Sequence, residues 1–400
     1  MKKKIFVLSN FMEIGGIERS LVNLLSCIDY DRYEVDLFLF RHAGELIREL
    51  PKGVNLLPEN KRYSALAFPA LEAIKRGQLL VLLGRSLGKF LAFLHKIIVN
   101  PHKESIVSLE YSHKYTKFFL PKINNKMYDL AISFVIPHYF VPEKISAKMK
   151  VAWIHTDYSA FYFDKKSEFK MWNKFDKVIA ISEACSAAFL KVYPSFMDKM
   201  VLIENILSQE YIRQQASMFS VEGEIPSKCD WVKLCSVGRF AKAKNFDNIP
   251  DICRRLLNMG VKVKWYLIGF GSGELLIKKK IAENNVKDNV IILGKKYNPY
   301  PYMKACDIYV QPSRYEGKCV CIREAQILNK PVVITDFSTS RSQVKNGFDA
   351  VIVPMDNVSC ALGIKNIIED KEKQRSLVQN TQDSDYENKS EILKLYSLIP

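Results

Sequence analysis

No stretch of about 18 uncharged apolar residues occurs in the chain, so no membrane-spanning helix is expected. No secretory leader is expected either. The opening MKKKIFVLSNF is basic, but its apolar run is too short for a signal sequence and leads straight into a strand, a loop and a helix. Cysteine gives no framework. There are nine, an odd number without a repeating spacing, and Cys319 and Cys321 stand two apart, unlike a CxxC metal knuckle. No His/Cys cluster resembles a zinc site. All nine are therefore read as reduced, mostly buried thiols of a cytoplasmic protein.

What the chain has in excess is positive charge. The net charge is +16 over 400 residues, a length that suggests two or three domains. More than half of the surplus lies in residues 51–126, with thirteen Lys/Arg against four Asp/Glu. Within that insert, Gln78–Val99 has apolar Leu79, Leu83, Leu87, Phe90, Leu91, Leu94 and Ile98 at helical spacing. Arg85, Lys89, Ala92 and Lys96 line another face. This amphipathic basic helix reads either as a surface helix on an anionic membrane or as a core helix with a solvated basic face. Lys114, Lys117, Lys122 and Lys126 follow among aromatics. That mixture also suits nucleic acid, but no recognisable RNA- or DNA-binding motif accompanies it, and no nucleic-acid partner is expected.

The remainder alternates short β-branched runs with helical patterns, an α/β chain with parallel sheets. Candidate groups cluster at strand ends. Asp307–Asp336 reads as strand, turn, helix, turn, strand, one βαβ crossover. It carries Glu316 in the turn and Glu324 in the helix. Eight helical residues span roughly 12 Å. That is too far for two carboxyls flanking one glycosidic bond, which stand about 5 to 9.5 Å apart. The spacing suits two ends of one long ligand, with Glu316 at the reacting group and Glu324 on a diol. Between them, the backbone N–H groups of Gly317, Lys318 and Cys319 open a helix N-terminus that suits phosphate. Sugar, diphosphate and ribose in that order describe a nucleotide sugar. Upstream, Val232–Val237 runs into GRFAKAKN, where Arg239 and Lys244 can converge on one diphosphate.

SRYEG, then Glu after seven intervening residues, then NKPVVITD, resembles the donor-site signature of the retaining family 4 glycosyltransferases. The resemblance implies the GT-B fold, two Rossmann-like doubly wound parallel-sheet domains facing a central cleft. It implies that the family's Gly-Arg matches Gly238 and Arg239, and that Lys244 is its diphosphate lysine. It makes His155, after the strand Val151–Ile154, a donor-sugar contact, and the loop glycines Gly15 and Gly16 neighbours of the diphosphate and acceptor. Gly271 falls in a cleft-edge turn near the donor. Lys295 to Tyr297 match the loop whose backbone grips the nucleobase, which leaves UDP favoured on family frequency alone. The family tripeptide Pro-Asn-Gly is here Glu204-Asn205-Ile206, so only Asn205 matches.

The expected organisation is an acceptor-side domain over 1–206 with a basic helical insert at about 60–126. A nucleotide-sugar domain over 207–375 follows, with a linker in 206–230, and 376–400 form a helix crossing back. The expected reaction is sugar transfer from a nucleotide diphosphate to an acceptor hydroxyl with retention, by front-face attack. No Asp-x-Asp chelate is assigned to it, so no metal or other cofactor is expected. A lipid-linked or cell-surface polysaccharide precursor is the favoured acceptor, handled on the inner face of the membrane. The alternatives are a non-catalytic GT-B interaction subunit, a nucleotide-sugar epimerase or a phosphorylase.

Overall fold

The computed structural model describes residues 2–101 and 103–400. The chain divides into two compact units, Met1–Ile206 with Lys389–Pro400, and Leu207–Asn388.

The first unit is built on β1 (Lys3–Ser9), β2 (Tyr33–Leu39), β3 (Val54–Leu56), β5 (Met127–Ser133), β6 (Ser146–Ile154), β8 (Lys177–Ala180) and β9 (Met200–Leu202). They form one sheet in the order β3-β2-β1-β5-β6-β8-β9, parallel at every pairing. The short β4 (Glu104–Ser105) and β7 (Phe161–Tyr162) pair separately. Side chains alternate along each strand, so Ile5 and Val7 enter one apolar layer while Phe6 and Leu8 enter the other. The C-terminal helix Glu391–Tyr396 adds Ile392 and Leu395 to the first layer. Its Tyr396 ring stacks on Tyr33 at 4.4 Å between centroids.

The second unit repeats the plan with β10 (Val232–Val237), β11 (Val263–Ile268), β12 (Val290–Gly294), β13 (Ile308–Gln311), β14 (Val332–Thr335) and β15 (Val351–Val353). The order is β12-β11-β10-β13-β14-β15, again parallel throughout. Two polar stretches differ from their sequence reading. Residues 206–230 are not a bare linker. They contain the helix Gln209–Gln215, and Ile212, Ala216, Val221 and Ile225 pack in the unit's core with Tyr300 and Met303. Residues 370–386, too polar to assign from sequence, contain the helix Lys371–Gln382, which buries only Leu377 and Thr381.

The helix Leu79–Val99 corrects a second expectation. Its buried face is Val81, Gly84, Gly88 and Ala92, the narrow side of the helix. Its apolar side faces solvent, with Leu83 61% and Ile97 62% exposed. Arg85 does not lie on a solvated basic face. It turns inward and donates to the carbonyls of Ala65 at 2.6 Å and Phe68 at 2.8 Å. The glycines explain the inversion. A Cβ on Gly88 would stand 2.4 Å from the Tyr111 carbonyl oxygen, and one on Gly84 would stand 2.7 Å from the Thr116 Cα. Both neighbours are backbone of the helix Val107–Thr116 or its end, so the two helices meet main chain to main chain. In an isolated helix Gly→Ala gains about 0.5–1 kcal/mol. Gly88→Ala is expected to reverse that sign and cost about 1–3 kcal/mol through overpacking. The check is a lower urea midpoint for Gly88→Ala beside an unchanged one for Gly223→Ala, where open space surrounds the site.

Candidate functional site

In the second unit the chain leaves β10 toward β11 on one side, while β13 leads to β14 on the other. Between β10 and β13 lies the point where the strand order reverses, the place where open α/β sheets take ligands beyond their strand carboxyl ends. Gly238–Lys244 follows β10 there, and Pro312–Gly317 follows β13.

These two turns meet through side chains. Lys244 Nζ lies 2.6 Å from Glu316 Oε1, in a pair whose side chains are 18% and 11% exposed. Ser313 Oγ donates to the same carboxylate oxygen at 2.6 Å, and Lys244 Nζ is 3.5 Å from Cys319 Sγ. Burial disfavours the ammonium. The neighbouring Cys319 and Glu316 charges more than offset it, so the Lys244 pKa is raised and the group stays a cation. The stem of Lys244 lies along Gly238, where a Cβ would come 3.2 Å from its Cε.

Arg314 staples the turns together. Its guanidinium donates to both Asp247 carboxylate oxygens at 2.8 Å and to the Lys242 carbonyl at 2.7 Å, and its N–H donates to the Ala243 carbonyl at 2.7 Å. The β13 turn is held from its other side. Thr335 Oγ1 donates to the Ser313 carbonyl at 2.6 Å and Thr339 Oγ1 to the Glu316 carbonyl at 2.8 Å.

Arg239 projects elsewhere. It is exposed, with its guanidinium carbon 5.9 Å from the Phe270 ring centroid, and Lys295 Nζ lies 4.6 Å from the same ring. Phe270 stands between Gly269 and Gly271, whose φ values of +153° and +151° favour glycine. A Cβ on Gly271 would meet the Phe240 carbonyl oxygen at 2.7 Å. Gly271 therefore lets this turn wrap the Phe240 backbone, with Phe240 N donating to the Phe270 carbonyl at 2.8 Å and Gly273 N to the Phe240 carbonyl at 2.8 Å. Tyr297, on the adjoining loop, is exposed.

Glu324 lies in the helix Val320–Ile327 and is 2% exposed. Its Oε1 accepts from the Tyr300 hydroxyl at 2.9 Å. Gly317 and Lys318 precede that helix. Of the three expected N-terminal donors, the Cys319 N–H is already engaged, donating to Gln343 Oε1 at 2.8 Å. The structure thus joins Gly238, Lys244, Glu316 and Cys319 in one cluster, Arg239, Lys295 and the Gly271 turn around Phe270, and Glu324 with Tyr300. Ser313, Arg314, Tyr300 and Gln343 were not singled out from sequence. Their partners lie 24 to 72 residues away, apart from the Ser313–Glu316 contact inside SRYEG.

In the first unit Gly15 precedes the helix Gly16–Ser26 with an extended φ of −166°, which any residue adopts. His155 follows β6, its ring 4.4 Å from Phe134, and its Nε2 is buried without a hydrogen-bond partner among the described residues. His138, which sequence reading passed over, is similar. Ser133 Oγ lies 2.8 Å from its Nδ1, and its Nε2 is also buried and unpartnered. Two Asp-x-Asp pairs stand in the sequence, Asp29/Asp31 and Asp383/Asp385. Among the described residues no group of three His, Cys, Asp or Glu is arranged to hold a metal ion.

In fold the chain is like solved glycosyltransferases of the GT-B type. Staphylococcus aureus TarM, solved as a mutant in complex with fondaparinux, alpha-GlcNAc-glycerol and UDP, matches 99% of this chain and 99% of its own at a TM-score of 0.68 with 15% identity. Residues 225–384 match the model of the glycosyl transferases group 1 family. One relative is the UDP-Gal:alpha-D-GlcNAc-diphosphoundecaprenol alpha-1,3-galactosyltransferase of Escherichia coli, 26% identical over 125 residues, 30% of this chain and 32% of that protein. Another is the N-acetylgalactosamine-N,N'-diacetylbacillosaminyl-diphospho-undecaprenol 4-alpha-N-acetylgalactosaminyltransferase of Campylobacter jejuni, 28% identical over 149 residues, 37% of this chain and 40% of that one. The matches span 32% and 40% of the length of these two relatives.

His155 supplies a pH test. Burial pulls its pKa from 6.5 down to about 3, against a backbone hydrogen bond to Phe134 that raises it. The unfolded chain takes up that proton near pH 6.5 and the folded one does not. The stabilisation is therefore complete above that pH and is lost as pH falls toward 3. His155→Phe keeps a ring beside Phe134 and removes the titration. Between pH 7.5 and 5 it is expected to lose about 1–2 kcal/mol less stability than the parent in urea unfolding; parallel losses would show a histidine that protonates in place.

Proposed function

We propose that the protein is a retaining glycosyltransferase that moves a sugar from a nucleotide-diphosphate donor, UDP-sugar favoured, to an acceptor hydroxyl of a lipid-linked or cell-surface polysaccharide precursor. The observation that carries the reading is the Lys244–Glu316 pair at the β10/β13 switch point, a fixed cation where a ligand's phosphates belong. The match of residues 225–384 to the glycosyl transferases group 1 model supports it. The UDP in the TarM complex and the diphosphoundecaprenol in two relatives' names support the donor and acceptor classes.

The chemical difficulty is departure of an anionic diphosphate. Lys244 and Arg239 stabilise the charge that grows on it as the bond from the anomeric carbon to phosphate oxygen breaks. Arg239 reaches one side from its exposed position, and Lys244 comes from the anchored side. The acceptor oxygen forms the new bond on the same face, and its proton passes to the departing diphosphate. Glu316 orients the Lys244 ammonium and the sugar hydroxyls and is not assigned as a base. Glu324, now accepting from Tyr300, takes the ribose diol. Gly317 and Lys318 offer backbone donors to phosphate, and Cys319 does so once Gln343 yields. The resemblance gives His155 to the donor sugar, and its neutral ring carries no charge to offer an anion.

A thermal-shift screen of UDP-, GDP- and ADP-sugars identifies the donor, because a ligand that binds only the native state raises the melting temperature. With that donor, Arg239→Ala and Lys244→Ala are each expected to lower turnover by roughly 10²-fold or more. Near-normal rates in both variants, in folded protein, would reject the leaving-group assignment.

A further inference from the structure

The helix Leu79–Val99 of the first unit holds an apolar stripe in water. Leu79, Leu83, Leu87, Phe90, Leu94 and Ile97 are all exposed, and at 100° per residue they fall within one arc of roughly 80°. Monomeric soluble proteins rarely leave a contiguous apolar patch of this kind uncovered. The adjoining helix Ala70–Lys75 also exposes Leu71 and Ile74. The stripe is not a core face awaiting its neighbour, because the core face of this helix is the opposite, glycine-bearing one. Main-chain contact through Gly84 and Gly88 fixes the helix to the unit with its apolar side outward.

We infer that this stripe is a membrane-interface surface that lies in the plane of an anionic bilayer. Charge chooses the occupant. Lys89 and Lys96 are exposed and project roughly 110–130° round the helix from the centre of the stripe. An ammonium there reaches the headgroups while the stripe enters the acyl boundary. The surrounding residues 51–126 carry thirteen Lys/Arg against four Asp/Glu. A second copy of the chain meeting the stripe across a two-fold axis would bring two such cationic surroundings together, which opposes association. Anionic headgroups complement them instead. Among the described residues no helix is long and apolar enough to cross a membrane, so the contact is interfacial. It stands whether or not the sugar-transfer reading holds. It also assigns the contact to a different face from the basic row of Arg85, Lys89, Ala92 and Lys96 suggested by the sequence.

The test is co-sedimentation of the full chain with vesicles of phosphatidylcholine containing phosphatidylglycerol, and with phosphatidylcholine alone, each at low and high salt. Binding is expected on the anionic vesicles and is expected to weaken with salt. Lys89→Glu with Lys96→Glu is expected to weaken it by roughly 25-fold or more, at about fivefold for each cation near the surface. Leu83→Ser with Phe90→Ser and Ile97→Ser is expected to abolish it while leaving the melting temperature and any donor-induced shift unchanged. Vesicle binding that survives the triple serine variant overturns the inference. So does an unbound parent chain, and so does a dimer in sedimentation velocity that the same variant dissolves. Equal binding to neutral vesicles overturns the anionic assignment.

Discussion

A lysine ammonium and a glutamate carboxylate drawn 2.6 Å together, each mostly out of water, set the terms for the second unit. Taking charges out of water costs several kcal/mol for each ion, and mutual attraction repays it only with good geometry and further hydrogen bonds. Here the geometry is supplied from outside the pair. Ser313 adds a hydroxyl to the carboxylate, and the Arg314–Asp247 bridge fixes the two turns that carry the partners. Burial pushes the Asp247 carboxyl up, but Arg314 more than offsets it and holds it below the usual range. An anion arriving between Lys244 and its surroundings meets a cation that has already lost most of its water, so little reorganisation is left to oppose the new contact.

The backbone makes the pair reachable. Lys244 lies along Gly238 because that residue has no side chain, and the β11 turn wraps Phe240 because Gly269 and Gly271 accept φ values near +150°. A Cβ on Gly269 would stand 1.8 Å from the Gly238 carbonyl oxygen. The two turns are therefore interlocked main chain, and Phe270 is presented at their edge with Arg239 and Lys295 near its ring. The resemblance placed Gly238 and Gly271 beside the donor. In the structure the Lys244 stem lies against Gly238 and the Phe240 backbone against Gly271, so these glycines also place Lys244 and Phe270.

Parallel strands flanked by helices were legible because buried strands are β-branched runs bounded by Pro, Gly or Asn, as in NKPVVITD. The helix that carries Glu324 spans Val320–Ile327, inside the crossover legible in Asp307–Asp336. The chemistry-bearing residue types at strand ends were legible as candidates. Their pairings were not. Arg314 and Asp247 are separated by 67 residues, and no local period marks a side chain that bridges two turns. The helix Lys371–Gln382 escaped because two buried side chains give too weak a stripe to detect.

The Leu79–Val99 helix shows a deeper limit. A hydrophobic period states that one face of a helix differs from the other, and the usual inference sends the apolar face to the core. Two glycines and an alanine on the opposite face allow close approach to a neighbouring helix, and that contact takes the inward position. Once it does, Arg85 can be satisfied by two carbonyls beneath the helix, which removes the charge that would have marked that side as the wet one. Dispersion contact at the glycine face and charge-assisted hydrogen bonds at Arg85 together stabilise an orientation that apolar burial alone would reverse. The leucine and phenylalanine side chains are then left with a surface whose free energy falls when an apolar phase covers it, and the lysines beside them favour a phase edged with negative charge.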